Sequence, residues 1–97
     1  MGKPEARIED YLRSRVKEEG GKHRKLSFLG RRGAPDQMIW FPGQRIVFVE
    51  CKAPGESVNP RSPQGREIAG MRADGLLVYV VNTRDQVDDI LKIAKRA

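Results

Sequence analysis

Two carboxylates and an ammonium occupy segments that flank one turn signal. Asp36 closes Gly33-Ala34-Pro35-Asp36, Glu50 and Lys52 bracket Cys51, and Pro42-Gly43-Gln44 lies between. Residues 37–41 and 45–49 are rich in β-branched and aromatic side chains, and a Pro-Gly pair between two such runs signals a hairpin. With residues 42–44 as the loop, partners across the ribbon sum to 86 in residue number, which sets Asp36 opposite Glu50. Lys52 is two residues further along, on the same face. Directly opposed side chains have Cβ atoms roughly 4.5–5.5 Å apart, and like charges so placed repel unless a cation lies between them.

Such a cation should be hard and oxygen-liganded, because the chain has one cysteine and one histidine and the local donors are carboxylates and backbone carbonyls. Magnesium fits, with manganese as a substitute. A metal held this way polarises a phosphoryl oxygen and lowers the pKa of bound water, while Lys52 stabilises charge on the phosphate or orients the nucleophile. The chemistry is then phosphodiester hydrolysis. The plainer alternative makes Asp36 a turn residue, pairs Glu50 with an arginine and leaves Lys52 as a solvated strand end.

The elements that would hold these groups are legible as periodicity. Ile8, Tyr11, Leu12 and Val16 recur at helical spacing after Pro4 and before Gly20-Gly21, so the spacing predicts a helix over 4–19. Alternating Leu26 and Phe28 predict a short strand over 24–29, and 30–35 then form a loop with Arg31 and Arg32. Residues 53–61 read as a connection. Ser62-Pro63 reads as an N-cap and first-turn proline opening a helix to about residue 73. The apolar run 76–81 suits a strand buried on both faces, and Thr83 caps a last helix striped by Val87, Ile90, Leu91 and Ala94. The order is αβββαβα in a single domain, 1–97. A helix between the third and fourth strands implies a crossover, so the fold class is α/β (α+β) with a mixed central sheet flanked by helices. Trp40, Phe41, Phe48 and Tyr79, in the expected strands, are assigned to packing.

The chain has 97 residues, 19 basic and 13 acidic, for a net charge of +6. That balance favours a polyanionic partner, nucleic acid above all. Lone Cys51 excludes an internal disulfide, and a Cys/His zinc site would lack ligands. The opening Met-Gly-Lys-Pro-Glu lacks a signal-peptide core, and no stretch approaches the ~20 apolar residues of a membrane span. The expectation is a soluble, cytoplasmic protein with no membrane partner and no organic cofactor.

Further candidates surround the central pair. Glu5 and Glu9 share one flank of the first helix, where either could add a carboxylate to a metal cluster or hold a water; otherwise they complement the helix dipole or pair with Arg13. Gln64 opens the second helix and could turn its amide toward the strand ends, or simply be exposed. Arg24, Lys25, Arg31, Arg32, Arg61 and Arg66, with Lys22, could contact phosphates. His23, among basic neighbours and with no Ser or Cys to activate, reads as a solvated loop histidine.

The segments EARIEDYL, GRRGAPD, VFVECKAPG and the helix-opening SPQ resemble the VRR-NUC (virus-type replication-repair nuclease) domain of the PD-(D/E)XK nuclease superfamily, over residues 5–89. The resemblance implies a restriction-endonuclease-like core and a Mg²⁺ or Mn²⁺ site formed by Asp36, Glu50 and the backbone carbonyl of Cys51. It puts Lys52 at the catalytic lysine position and Gln64 at that of the family glutamine. It also implies an acidic residue from the first helix, Glu5 being favoured within this family and Glu9 by its spacing to Gly20. Gln37 stands where an arginine is frequent, which is expected to weaken a phosphate contact, and Cys51 replaces a common leucine, which is expected to expose a thiol. Small stand-alone members look like homodimers that cut branched DNA, four-way (Holliday) junctions included. The expected activity is therefore that of a metal-dependent, structure-specific DNA endonuclease acting in repair. The alternatives are a non-catalytic nucleic-acid-binding module or a subunit of a larger replication or repair assembly.

Overall fold

The computed structural model describes residues 3–97; Met1 and Gly2, part of the opening stretch expected to carry no signal peptide, lie outside them. The elements run α1 (Pro4–Glu18), β1 (Lys22–Lys25), β2 (Gln37–Trp40), β3 (Val47–Cys51), α2 (Pro63–Ala73), β4 (Leu77–Val81) and α3 (Arg84–Ala94). The four strands form one sheet in sequence order. β2 pairs antiparallel with β1 on one side and with β3 on the other, and β4 joins β3 in parallel through the α2 crossover. This is the mixed sheet expected from the element order.

Each face of the sheet has its own helices because the side chains of β3 alternate. Val47, Val49 and Cys51 turn toward α1 and α3, where they pack with Ile8, Leu12, Val16, Ile90 and Leu91. Phe48 turns the other way, toward Ile68 and Met71 of α2 and Val78 of β4. Buried aliphatic side chains contribute roughly 1.5–3 kcal/mol each, so the thicker α1/α3 layer carries most of the apolar stabilisation. Both expected N-caps form: the Ser62 hydroxyl accepts from Gly65 N at 3.0 Å and that of Thr83 from Gln86 N at 3.1 Å. Such caps satisfy backbone N–H groups that the helix leaves unpaired.

Two elements depart from expectation. The first strand lies at 22–25 rather than 24–29. Its Lys-His-Arg-Lys sequence has no apolar signal, but at the sheet edge only His23 turns inward, and charged side chains suit an unprotected edge. Phe28 instead reaches back from the following loop to Phe48, with ring centroids 6.3 Å apart. The hairpin connection spans 41–46 rather than 42–44, because pairing ends at Ile39↔Val47. The register is unaffected. Trp40 is only half-buried, with the Arg24 guanidinium 5.3 Å from its ring centre.

Candidate active site

The observed pairs Gln37↔Val49 and Met38↔Phe48 obey the expected sum, so one further step sets Asp36 opposite Glu50 on the α2 face of the sheet. Glu50 is 9% exposed. Lys52 follows on the same face with Nζ 3.8 Å from Glu50 Oε2. Gln64 belongs to the first turn of α2, whose start lies against the loop at Gly33. Burial, and then the neighbouring Asp36 charge, push the Glu50 carboxyl above its ordinary range, while Lys52, the Gln64 side chain and the Asp36 backbone N–H oppose the rise. Asp36, Glu50, Lys52 and Gln64 thus converge at one end of the ribbon.

A second group of side chains, whose contacts with one another the sequence did not reveal, backs this site. Gln37 is fully buried. His23 Nε2 donates to Gln37 Oε1 at 2.6 Å, and Gln37 Nε2 donates to Asp36 Oδ1 at 3.3 Å. Of the two α1 glutamates, Glu5 is exposed, whereas Glu9 is partly buried and accepts from Lys25 Nζ at 2.8 Å. Burial raises the Glu9 pKa, but the bonds from Lys25 and Gln37 outweigh it and leave the group below its ordinary value. Three expectations change here. His23 is a half-buried strand residue rather than a solvated loop one. Gln37 faces the interior, so its replacement of an arginine costs no surface phosphate contact. The Cys51 thiol is buried rather than exposed, and burial, reinforced by Glu9, Asp36 and Glu50, raises its pKa to about 12.

The basic residues divide into groups. Lys25 and Arg31 join Phe28, Gly33 and Asp36 around a depression of about 560 Å³. Arg31, Arg32 and Arg66 line an adjoining one of about 290 Å³. Arg24 instead faces a separate depression with Arg13, Lys17 and Lys22. Three of these charges are already engaged, Lys25 by Glu9, Arg31 by Glu67 and Arg13 by Glu9 and Asp10. The Arg66 guanidinium bonds the Arg61 carbonyl, and Arg61 lies outside both depressions.

Among the described residues, no three His, Cys, Asp or Glu side chains gather as a ready-made cage for an ion. Asp36 and Glu50 are a two-carboxylate set, the type suited to Mg²⁺, which keeps several waters and takes further oxygens from substrate phosphate. The strand geometry adds a third oxygen. Lys52 N bonds Val81 O of β4, so by alternation the Cys51 carbonyl points toward β2, where the register sets it opposite Pro35, which has no N–H to donate. The raised Glu50 pKa is the electrostatic counterpart, since burial and the neighbouring Asp36 charge outweigh the Lys52 ammonium.

That shift predicts a pH effect. The folded state holds the Glu50 proton more tightly than the unfolded chain does, so this stabilisation is complete below the ordinary value of 4.5 and is lost as pH rises through the raised folded value. Thermal melts without metal should therefore fall more steeply with pH, from 4.5 upward, for the wild type than for Glu50→Gln. Added Mg²⁺ should recover stability at neutral pH in the wild type alone. Parallel slopes for the two proteins would refute the assignment.

Comparison with known proteins agrees with this fold. No protein-family model matches the chain. It is 45% identical over 78 residues to "Putative nuclease p44" of Acyrthosiphon pisum secondary endosymbiont phage 1, a match covering 80% of this chain and 82% of that protein. A solved structure described as a VRR_NUC domain superposes with a TM-score of 0.82 at 37% identity, covering 94% of this chain and 97% of that one. With the αβββαβα order and the mixed sheet shared with that structure, the chain belongs to the VRR-NUC family of nucleases.

Proposed function

We propose that the chain is a Mg²⁺- or Mn²⁺-dependent DNA endonuclease that cuts branched structures, four-way junctions included, and acts as a homodimer. The observation that carries this reading is the meeting of Asp36 and Glu50 across β2 and β3, with Lys52 beside them. Asp36, Glu50 and the Cys51 carbonyl would hold the metal. When bound, the ion polarises a phosphoryl oxygen and lowers the pKa of its water. The Lys52 ammonium, kept on the α2 face by strand alternation, then orients the attacking water or balances negative charge on the phosphate. Gln64 presents an amide from the first turn of α2 toward the same carboxylates. Glu9 and Gln37 hold the rear of the site, Gln37 through its bond to Asp36. The net charge of +6 favours a polyanionic substrate. One chain supplies one such site, and symmetric cutting of a junction requires two, which favours the dimer. No helix among the described residues is long and apolar enough to cross a membrane.

The test is a panel of labelled four-way, flap, splayed and linear DNA, each with Mg²⁺, Mn²⁺ or chelator, alongside sedimentation of the free protein. Cleavage is expected only with metal, strongest on branched DNA, by a species of twice the chain mass. Lys52→Met should lower kcat by about 10²–10³-fold while leaving metal affinity near wild type. DNA that is bound but uncut in both metals would favour the non-catalytic binding module instead.

A further inference from the structure

Leu29 is 94% exposed, while the next most exposed large apolar side chain among the described residues, Ile46, is 45% exposed. A single exposed leucine is ordinary on a protein surface. Its setting is what distinguishes this one. Phe28, immediately before it, is pinned against Phe48. Arg31, two residues after it, is pinned to Glu67 of α2, and Arg31 N closes the turn on the Phe28 carbonyl at 3.2 Å. Gly30, at φ +73°, lets the chain reverse between these anchors. The turn is thus anchored on both sides, and its one large apolar side chain without such an anchor, Leu29, is held out in solvent beside the exposed Arg31 and Arg32. Phe28 and Arg31 also line the depression that contains Asp36, and Arg32 and Arg66 line the next one. An apolar side chain therefore projects between Phe28 and Arg31, which line the depression that contains Asp36, and next to the arginines of the adjoining one.

Resting on the endonuclease reading above, we infer that Leu29 is a wedge that enters the base stack beside the scissile phosphate. Apolar side chains inserted at a base step unstack it and bend the duplex, and the insertion is easiest where stacking is already interrupted, as at a branch point. Leu29 is then a specificity-determining residue. The arginines hold the backbone while the leucine senses how readily the bases part.

The test uses two four-way junctions of the same sequence, one fully paired and one with unpaired nucleotides at the branch, each carrying 2-aminopurine there. With Ca²⁺ in place of Mg²⁺, wild-type binding should raise 2-aminopurine fluorescence in the paired junction, and Leu29→Ala should leave it near the level of free DNA. With Mg²⁺, Leu29→Ala should cut the paired junction about tenfold or more slowly and the unpaired one within about twofold of wild type. Leu29→Met should restore most of the difference. Because the side chain is solvent-exposed, the melting temperature should not change. Equal losses on both junctions, or no loss on either, would overturn the wedge. If the wild type cuts neither junction in Mg²⁺ or Mn²⁺, the endonuclease reading fails, and the fluorescence still decides whether Leu29 unstacks the step.

Discussion

Asp36→Asn is expected to lower the rate of DNA cleavage by about 10³-fold or more while the protein stays folded and still binds DNA. The substitution keeps the shape of the side chain and removes its charge. The backbone role of residue 36 survives, since its carbonyl accepts from Leu26 N at 2.7 Å, and an amide oxygen can still accept from Gln37. What disappears is one of two carboxylates facing each other at the end of the ribbon. Glu50 would then ionise more easily, because the Asp36 charge is the second cause of its raised pKa, after burial. DNA binding in chelator should hold or tighten, as a negative charge beside the phosphate has gone. Single-turnover cleavage, metal titration by calorimetry and DNA binding in chelator separate these effects. Wild-type cleavage by Asp36→Asn would remove the basis of the proposed chemistry.

Gly33→Ala should cost about 2–4 kcal/mol of stability and lower the melting temperature by about 10 °C or more. Gly33 has φ +81°, and a Cβ there would lie 2.4 Å from Gln64 Cα and 2.6 Å from Gln64 N. Both are backbone atoms, which cannot swing aside as the tip of a side chain can. Relief requires the loop or the start of α2 to move, and either movement separates Gln64 from Asp36. Cleavage should therefore fall together with stability. Gly55→Ala is the control, having a similar φ of +83° with nothing within 4 Å of the added carbon. It should cost only the conformational strain, about 1–2 kcal/mol, with little effect on cleavage. Similar losses for the two variants would show that close packing at Gln64 is unimportant.

The register of β2 with β3 is legible in the sequence even though the loop length read there is wrong. Side-chain direction has a period of two, and a turn centred on Gly43 sets both the pairing sum and its parity. The hairpin opens earlier than expected without shifting the pairs, so Asp36 and Glu50 remain opposite one another. Local signals also suffice for Ser62 and Thr83, because an N-cap is formed by residues within one turn. The first strand is different. Leu26 and Phe28 have the stronger local β signal, yet Lys22–Lys25 forms the strand because its pairing with β2 is a contact across the chain. Propensity at an edge strand yields to such context.

Residue types and their periodicity were enough to determine the element order, the two-faced sheet and the Asp36–Glu50–Lys52 face, since all three follow from contacts within or between neighbouring segments. The contacts of Glu9 with Lys25, His23 with Gln37 and Arg31 with Glu67 were decided only in three dimensions. Arg31 and Glu67 belong to segments far apart in sequence, and no turn signal sets Lys22–Lys25 against α1 or β2, so spacing carries no information about these partners. Glu5 and Glu9 lie on the same flank of α1, about 40° apart in helical phase, so their spacing alone does not tell which of them meets the sheet end. Burial of the Cys51 thiol likewise depends on α1 and α3 closing over that face of β3.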